Sequence, residues 1–222
     1  LRAVVFDLDG VITRFNLERE KIKAEFIEYF RERGLVDPSL TPSTPYSLIK
    51  DAVAAYFSGI GRGAEVEAML RDADRIIVEH EIRAASDAPL LPGVKGALTA
   101  LKAMGLRLAI FTYNNSQAAG MILRRHGLDG IFDVVVSRDM VSRPKPNPIH
   151  LEAVLARLGV QKGETLVVGD SEMDIESARK AGVRVAAVAT GLRSRKELAA
   201  HGPDFLIGDL SELPALVRGL DP

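Results

Sequence analysis

The stretch that decides the fold is Val4-Val5-Phe6-Asp7-Leu8-Asp9-Gly10. A short apolar run rich in β-branched residues reads as a buried strand. It ends in two aspartates separated by one leucine, so in an extended chain both carboxylates share a face. Gly10 then lets the backbone turn sharply away. Burying a carboxylate without partners is costly, so Asp7 and Asp9 require companions from elsewhere in the chain.

From residue 93 onward, apolar runs alternate with amphipathic segments, the pattern of a parallel sheet covered by helices. Strands are expected at 107–111, 132–136, 165–168, 183–188 and 205–207. Helices are expected at 93–104, 117–125, 148–158 and 175–181, with Gly105, Gly127, Gly159 and Gly182 as stops. Residues 17–86 read differently. Ile22, Phe26, Ile27 and Phe30 form one helical stripe that Gly34 ends. Thr44-Pro45 opens a second helix through residue 57. Residues 58–63 form a glycine-rich loop, and a third helix follows at about 64–85. Such a segment cannot sit inside a parallel sheet. The expected fold class is therefore α/β: a Rossmannoid parallel-sheet core of residues 1–13 and 90–222, with an inserted helical domain at 14–89.

The chain of 222 residues is long enough for this plan, and its 47% hydrophobic and 27% charged residues are those of a globular protein. The net charge of −1 gives no argument for a nucleic-acid or membrane surface. No apolar run reaches the length of a membrane span. With no cysteine, disulfides, thiolate metal sites and a cysteine nucleophile are excluded. No targeting segment is recognised, so the expected compartment is the cytoplasm.

In open parallel sheets, ligands bind beyond the carboxyl ends of the strands. Those ends carry Asp7 and Asp9, then Thr112 with Tyr113 and Asn114, then Lys145, then Asp170, Ser171 and Asp174. Clustered carboxylates repel one another unless a cation lies among them, and a hard oxygen site with room for water suits Mg²⁺. Mg²⁺ would draw a phosphate, to which Lys145 adds positive charge and Thr112 a hydroxyl. Phosphoryl transfer needs mainly positioning and charge neutralisation. Asp7 is the candidate nucleophile, and Asp9 the acid that protonates the leaving oxygen and then the base that activates water. Asp174 stands at a helix start, where it binds metal or orients Lys145.

These residues resemble the haloacid dehalogenase superfamily. Asp7-Leu8-Asp9-Gly10-Val11, Thr112, Lys145, and Gly169-Asp170-Ser171 with Asp174 are similar to its four motifs, in order. The stretch from Gly169 to Gly182 is similar to the phosphoglycolate-phosphatase-like branch. The resemblance implies a mobile helical cap, Mg²⁺ and an aspartyl intermediate. Its metal set is Asp7, Asp170 and the main-chain carbonyl of Asp9, with Asp174 nearby. Members that dehalogenate lack the second aspartate, so Asp9 implies a phosphatase acting on a small phosphorylated metabolite. Substrate contacts are expected from Gly10, Asn114 and Arg62, the last in the glycine-rich loop, with Arg14 and Asn16 as further candidates. Tyr113 stands where the family often has asparagine. A sugar phosphomutase and a non-enzymatic phospho-acceptor remain alternatives. The sequence leaves oligomeric state open and gives His80, His126, His150 and His201 no role beyond structure or surface.

Overall fold

A computed structural model describes residues 1–14 and 17–220. The chain divides into two compact units, one of Leu1–Phe15 with Ala85–Pro222, the other of Asn16–Ala84.

The larger unit is built on a six-stranded parallel sheet. In chain order the strands are β1 (Ala3–Phe6), β2 (Arg107–Thr112), β3 (Val134–Ser137), β4 (Thr165–Gly169), β5 (Arg184–Val188) and β6 (Phe205–Ile207). Their order across the sheet is β3-β2-β1-β4-β5-β6, and each neighbouring pair is parallel. Parallel strands are covered on both faces, which is why Ala3–Phe6 is apolar and buried throughout rather than alternating. Val4, Phe6, Leu108, Ile110, Leu166 and Val168 face one core. There they meet the helices at Val94–Ala103, Ser116–Arg125 and Leu213–Leu220. Val5, Ala109, Phe111, Val136 and Val167 face the other, against helices at Pro148–Leu158, Glu172–Ala181 and Arg195–Ala200. The strand order reverses at β1, with β2 on one side and β4 on the other. This is the switch point where a crevice opens at the carboxyl edge.

The smaller unit holds α1 (Arg19–Arg31), α2 (Tyr46–Gly59) and most of α3 (Gly63–Ala85) around Phe26, Phe30, Ile49, Val53, Phe57 and Met69. In chain order the helices of the larger unit are α4 (Val94–Ala103), α5 (Ser116–Arg125), α6 (Pro148–Leu158), α7 (Glu172–Ala181), α8 (Arg195–Ala200) and α9 (Leu213–Leu220). No helix among the described residues is long and apolar enough to cross a membrane.

Three local expectations shift. The β3 pairing begins two residues late. Phe132 lies outside the strand and packs edge-on against Phe6, with ring centroids 6.1 Å apart. Thr44 does not cap α2: Pro45 holds that position, while the Thr44 hydroxyl accepts the Thr41 N–H at 3.1 Å. The extended chain expected through Asp9 is also interrupted. β1 stops at Phe6, and residues 8–13 form a tight turn in which the Gly10 N–H donates to the Thr13 carbonyl and the Thr13 N–H to the Leu8 carbonyl. Gly10 carries φ +80°, a conformation costly for other residues.

Candidate active site

The Asp7 N–H donates to the Val168 carbonyl at 2.9 Å, extending the β1–β4 pairing by one bond just where Asp170 follows β4. The side chains of Asp7, Asp170 and Asp174 converge there. All are buried, and each contributes a carboxylate oxygen within 4.8 Å of the others. Lys145, 2% exposed, reaches in from the loop after β3. Its Nζ lies 2.8 Å from Asp7 Oδ1 and 2.8 Å from Asp174 Oδ1, and 4.4 Å above the Phe111 ring.

Each carboxylate is held differently. Asp7 Oδ1 also accepts the Leu8 N–H at 2.7 Å, and no donor among the described residues reaches Oδ2. Asp174 is the third residue of α7. Its Oδ2 accepts both the N–H and the hydroxyl of Ser171, at 3.1 and 2.5 Å. Asp170 precedes the helix cap, so it and Asp174 do not share a turn of α7. Its carboxylate is flanked by two glycines. A Cβ at Gly10 would fall 2.2 Å, and one at Gly191 1.6 Å, from Asp170 Oδ2. Gly191 follows β5, and the neighbouring Thr190 hydroxyl donates to the Gly10 carbonyl at 2.6 Å. Both glycines are therefore required by the close approach of backbone to a carboxylate.

The electrostatics of the cluster are set by burial. Burial pushes Asp7 up to about 7, against the pull of Lys145. Burial together with the charges of Asp7 and Asp174 pushes Asp170 up to about 8. Burial also opposes the Lys145 charge, but Asp174 and Asp7 outweigh it and hold the ammonium protonated well above the usual lysine range. Lys145 thus brings one positive charge to three buried carboxylates. Asp170 has no side-chain hydrogen bond from another described residue, and a hard divalent cation fits this oxygen-only set.

Asp9 stands apart from the acid cluster. Its Oδ1 accepts the Thr13 hydroxyl at 3.1 Å and its Oδ2 the Asn114 amide at 2.8 Å. The Asn114 N–H in turn donates to Thr112 Oγ1 at 3.1 Å. Asn114 thereby ties the β2 end to Asp9. Arg62 belongs to the helical unit. Its guanidinium makes bonds of 2.9 and 2.8 Å to Glu65 and one of 2.9 Å to the Arg33 carbonyl. Asn16 lies outside the described residues, and the Arg14 N–H donates to the Pro89 carbonyl. Sequence reasoning passed over Thr190 and Gly191, whose signal was the run of small residues Ala189-Thr190-Gly191 directly after a strand. It also passed over His150, which sits on the apolar stripe of α6 with Val154 and Leu158.

Fold and site together define a hydrolase class in which an acid-lysine cluster occupies the switch point of a parallel sheet. The chain belongs to the haloacid dehalogenase-like hydrolase family, whose profile matches residues 4–188. It is 32% identical over 230 aligned residues to the pyrophosphatase PpaX of Bacillus cereus strain AH820, covering 100% of this chain and 98% of that one. Two solved structures share the fold. One is a predicted phosphoglycolate phosphatase from Haemophilus somnus 129PT, with TM-score 0.66, 21% identity, and 98% of both chains covered. The other is a Thermotoga maritima protein provisionally named a β-phosphoglucomutase, with TM-score 0.65, 24% identity, and 99% of both chains covered. At such identities these likenesses speak for the fold alone.

Proposed function

We propose that the protein is a Mg²⁺-dependent phosphatase that hydrolyses a small phosphorylated compound through an aspartyl-phosphate on Asp7. The observation that carries this reading is the buried Asp7–Asp170–Asp174 cluster sharing one ammonium, with Asp9 held separately by Asn114 and Thr13. When bound by Asp7, Asp170 and the Asp9 carbonyl, beside Asp174, Mg²⁺ would neutralise carboxylate and phosphate charge. In that site Asp7 is ionised, Oδ1 is kept by Lys145 and the Leu8 N–H, and Oδ2 is left to attack.

Asp7 Oδ2 forms a bond to phosphorus as the bond to the leaving oxygen breaks, and Asp9 gives that oxygen its proton. Asp9 then takes a proton from water. The resulting oxygen nucleophile attacks phosphorus, the Asp7–phosphorus bond breaks, and inorganic phosphate leaves. Asn114 and Thr13 hold the Asp9 carboxylate in place for both transfers, and Lys145 balances charge on the phosphoryl oxygens. Asp174 fixes Lys145 through one oxygen and the start of α7 through the other.

The PpaX relative makes inorganic pyrophosphate the first substrate to test, beside phosphoglycolate and sugar phosphates. The test measures inorganic phosphate released with and without Mg²⁺ across that panel. Mg²⁺-dependent release supports the reading. Interconversion of sugar phosphates without net release would point instead to a mutase.

A further inference from the structure

We propose that His150 is a positioning residue for Lys145: a neutral imidazole that ties the lysine's main chain to β3 and so sets where its ammonium meets Asp7. This rests on the phosphatase reading and adds to it a residue placed to touch neither substrate nor metal.

His150 is fully buried near the start of α6. Its Nδ1 lies 3.3 Å from the Lys145 main-chain nitrogen, and its Nε2 3.0 Å from the Val136 carbonyl. The partners dictate the tautomer. A main-chain N–H can only donate, so Nδ1 accepts. A carbonyl can only accept, so Nε2 carries the proton and donates. Burial pushes the imidazole down to about 4, favouring the same neutral form. The ring also packs edge-on against Phe111, with centroids 5.7 Å apart, and that same ring lies beneath Lys145 Nζ.

The surrounding sequence explains the need for such a clamp. In Arg143-Pro144-Lys145-Pro146-Asn147-Pro148 every second residue is a proline without an N–H. The Asn147 N–H is used within the loop, on the Pro144 carbonyl. The Lys145 N–H is the one that reaches the sheet, through His150. A lysine stem is flexible, so an ammonium placed 2.8 Å from two carboxylates depends on a fixed main chain. Phenylalanine at 150 would fill the volume and keep the ring contact but provide neither hydrogen bond.

The test is a double-mutant cycle on the full-length protein: wild type, His150→Phe, Lys145→Ala and the double variant. The readouts are Mg²⁺-dependent kcat on an aryl phosphate and, without turnover, the thermal shift given by inorganic phosphate with Mg²⁺. Misplacing Lys145 is expected to lower kcat about tenfold to a hundredfold when His150 is replaced. In the Lys145→Ala background the same replacement should change either readout by no more than about twofold. His150→Asn, which keeps an acceptor near the Nδ1 position, should recover most of the loss, and His150→Leu, which also lacks both hydrogen bonds, carries the cycle if the phenylalanine variant does not fold. An equal loss in both backgrounds, or none with Lys145 present, overturns the proposal. A fully active Lys145→Ala variant would overturn the assignment of Lys145 as well, so the two failures have different signatures.

Discussion

The two units of the molecule treat ionisable groups in opposite ways. In the helical unit most charges are paired at the surface, as Arg62 with Glu65, Arg71 with Glu67, and Lys50 with Asp74, and the buried His80 pairs with Glu25. Such surface pairs balance themselves and contribute little. In the sheet unit three carboxylates are buried around one lysine, and burial drives two of them far above the usual carboxylate range. A fold retains an unbalanced buried cluster when something outside the chain completes it. The contrast therefore supports the proposed chemistry in the sheet unit. It also explains why substrate identity is harder to read, since no comparable cluster of acids is found among the described residues of the helical unit.

The contrast can be broken most directly at the lone nucleophile candidate. Asp7→Ala should lower phosphate release by at least about a thousandfold, while circular dichroism reports an intact fold. Lys145→Ala comes next. It should reduce kcat about a hundredfold or more and, by stranding buried charge, cost about 3–5 kcal/mol of stability in denaturant titrations of the metal-free protein. Added Mg²⁺ should return part of that stability.

Crowding Asp170 tests the same cluster from its backbone side. Gly191→Ala puts a carbon where Asp170 Oδ2 now lies. The carboxylate must move, so Mg²⁺ activation should require about tenfold or more cation. Normal activation by Mg²⁺ would show that Asp170 is not a ligand.

A smaller effect is expected in the pH dependence of stability. In the metal-free protein burial lets Asp7 and Asp170 keep their protons up to about pH 7 and about pH 8, whereas an ordinary aspartate loses its proton at about pH 4. Across that window the native state binds more protons than the unfolded chain. Stability is therefore full below about pH 4 and is lost as pH rises through 7 to 8. Melting temperatures should fall over this range without metal. Mg²⁺ should raise them more at pH 8 than at pH 5, and Asp170→Asn should flatten the slope.

The smallest effect belongs to the helical unit. Arg62→Ala should leave melting and basal activity nearly unchanged. A changed preference across the substrate panel would give Arg62 a role that its bonds to Glu65 and Arg33 do not.

Much of this arrangement was legible in the chain itself. Aspartates after two apolar runs, a lysine between prolines and a helical insert are patterns that periodicity and strand-end chemistry reveal. The β3 boundary was not, because Phe132 is as apolar as a strand residue but packs against Phe6, while the next residue, Asp133, takes the Leu108 N–H on its carboxylate at 2.8 Å. The partners of Asp9 were not, because the turn at residues 8–13 replaces the extended chain that the spacing implies. Thr190, Gly191 and His150 escaped for another reason. Each acts through a backbone group brought close only by the folded sheet, and a lone histidine or glycine carries no periodic signal of such a contact.

The central claim is that Asp7 carries the phosphoryl group in a turnover cycle. Its most direct test is acid quenching during hydrolysis of a phosphorus-labelled substrate, followed by peptide mapping. The account predicts Mg²⁺-dependent, transient label on the peptide containing Asp7, lost as phosphate is released and missing from Asp7→Ala. Full hydrolysis without that label, or label that persists without turnover, would contradict it.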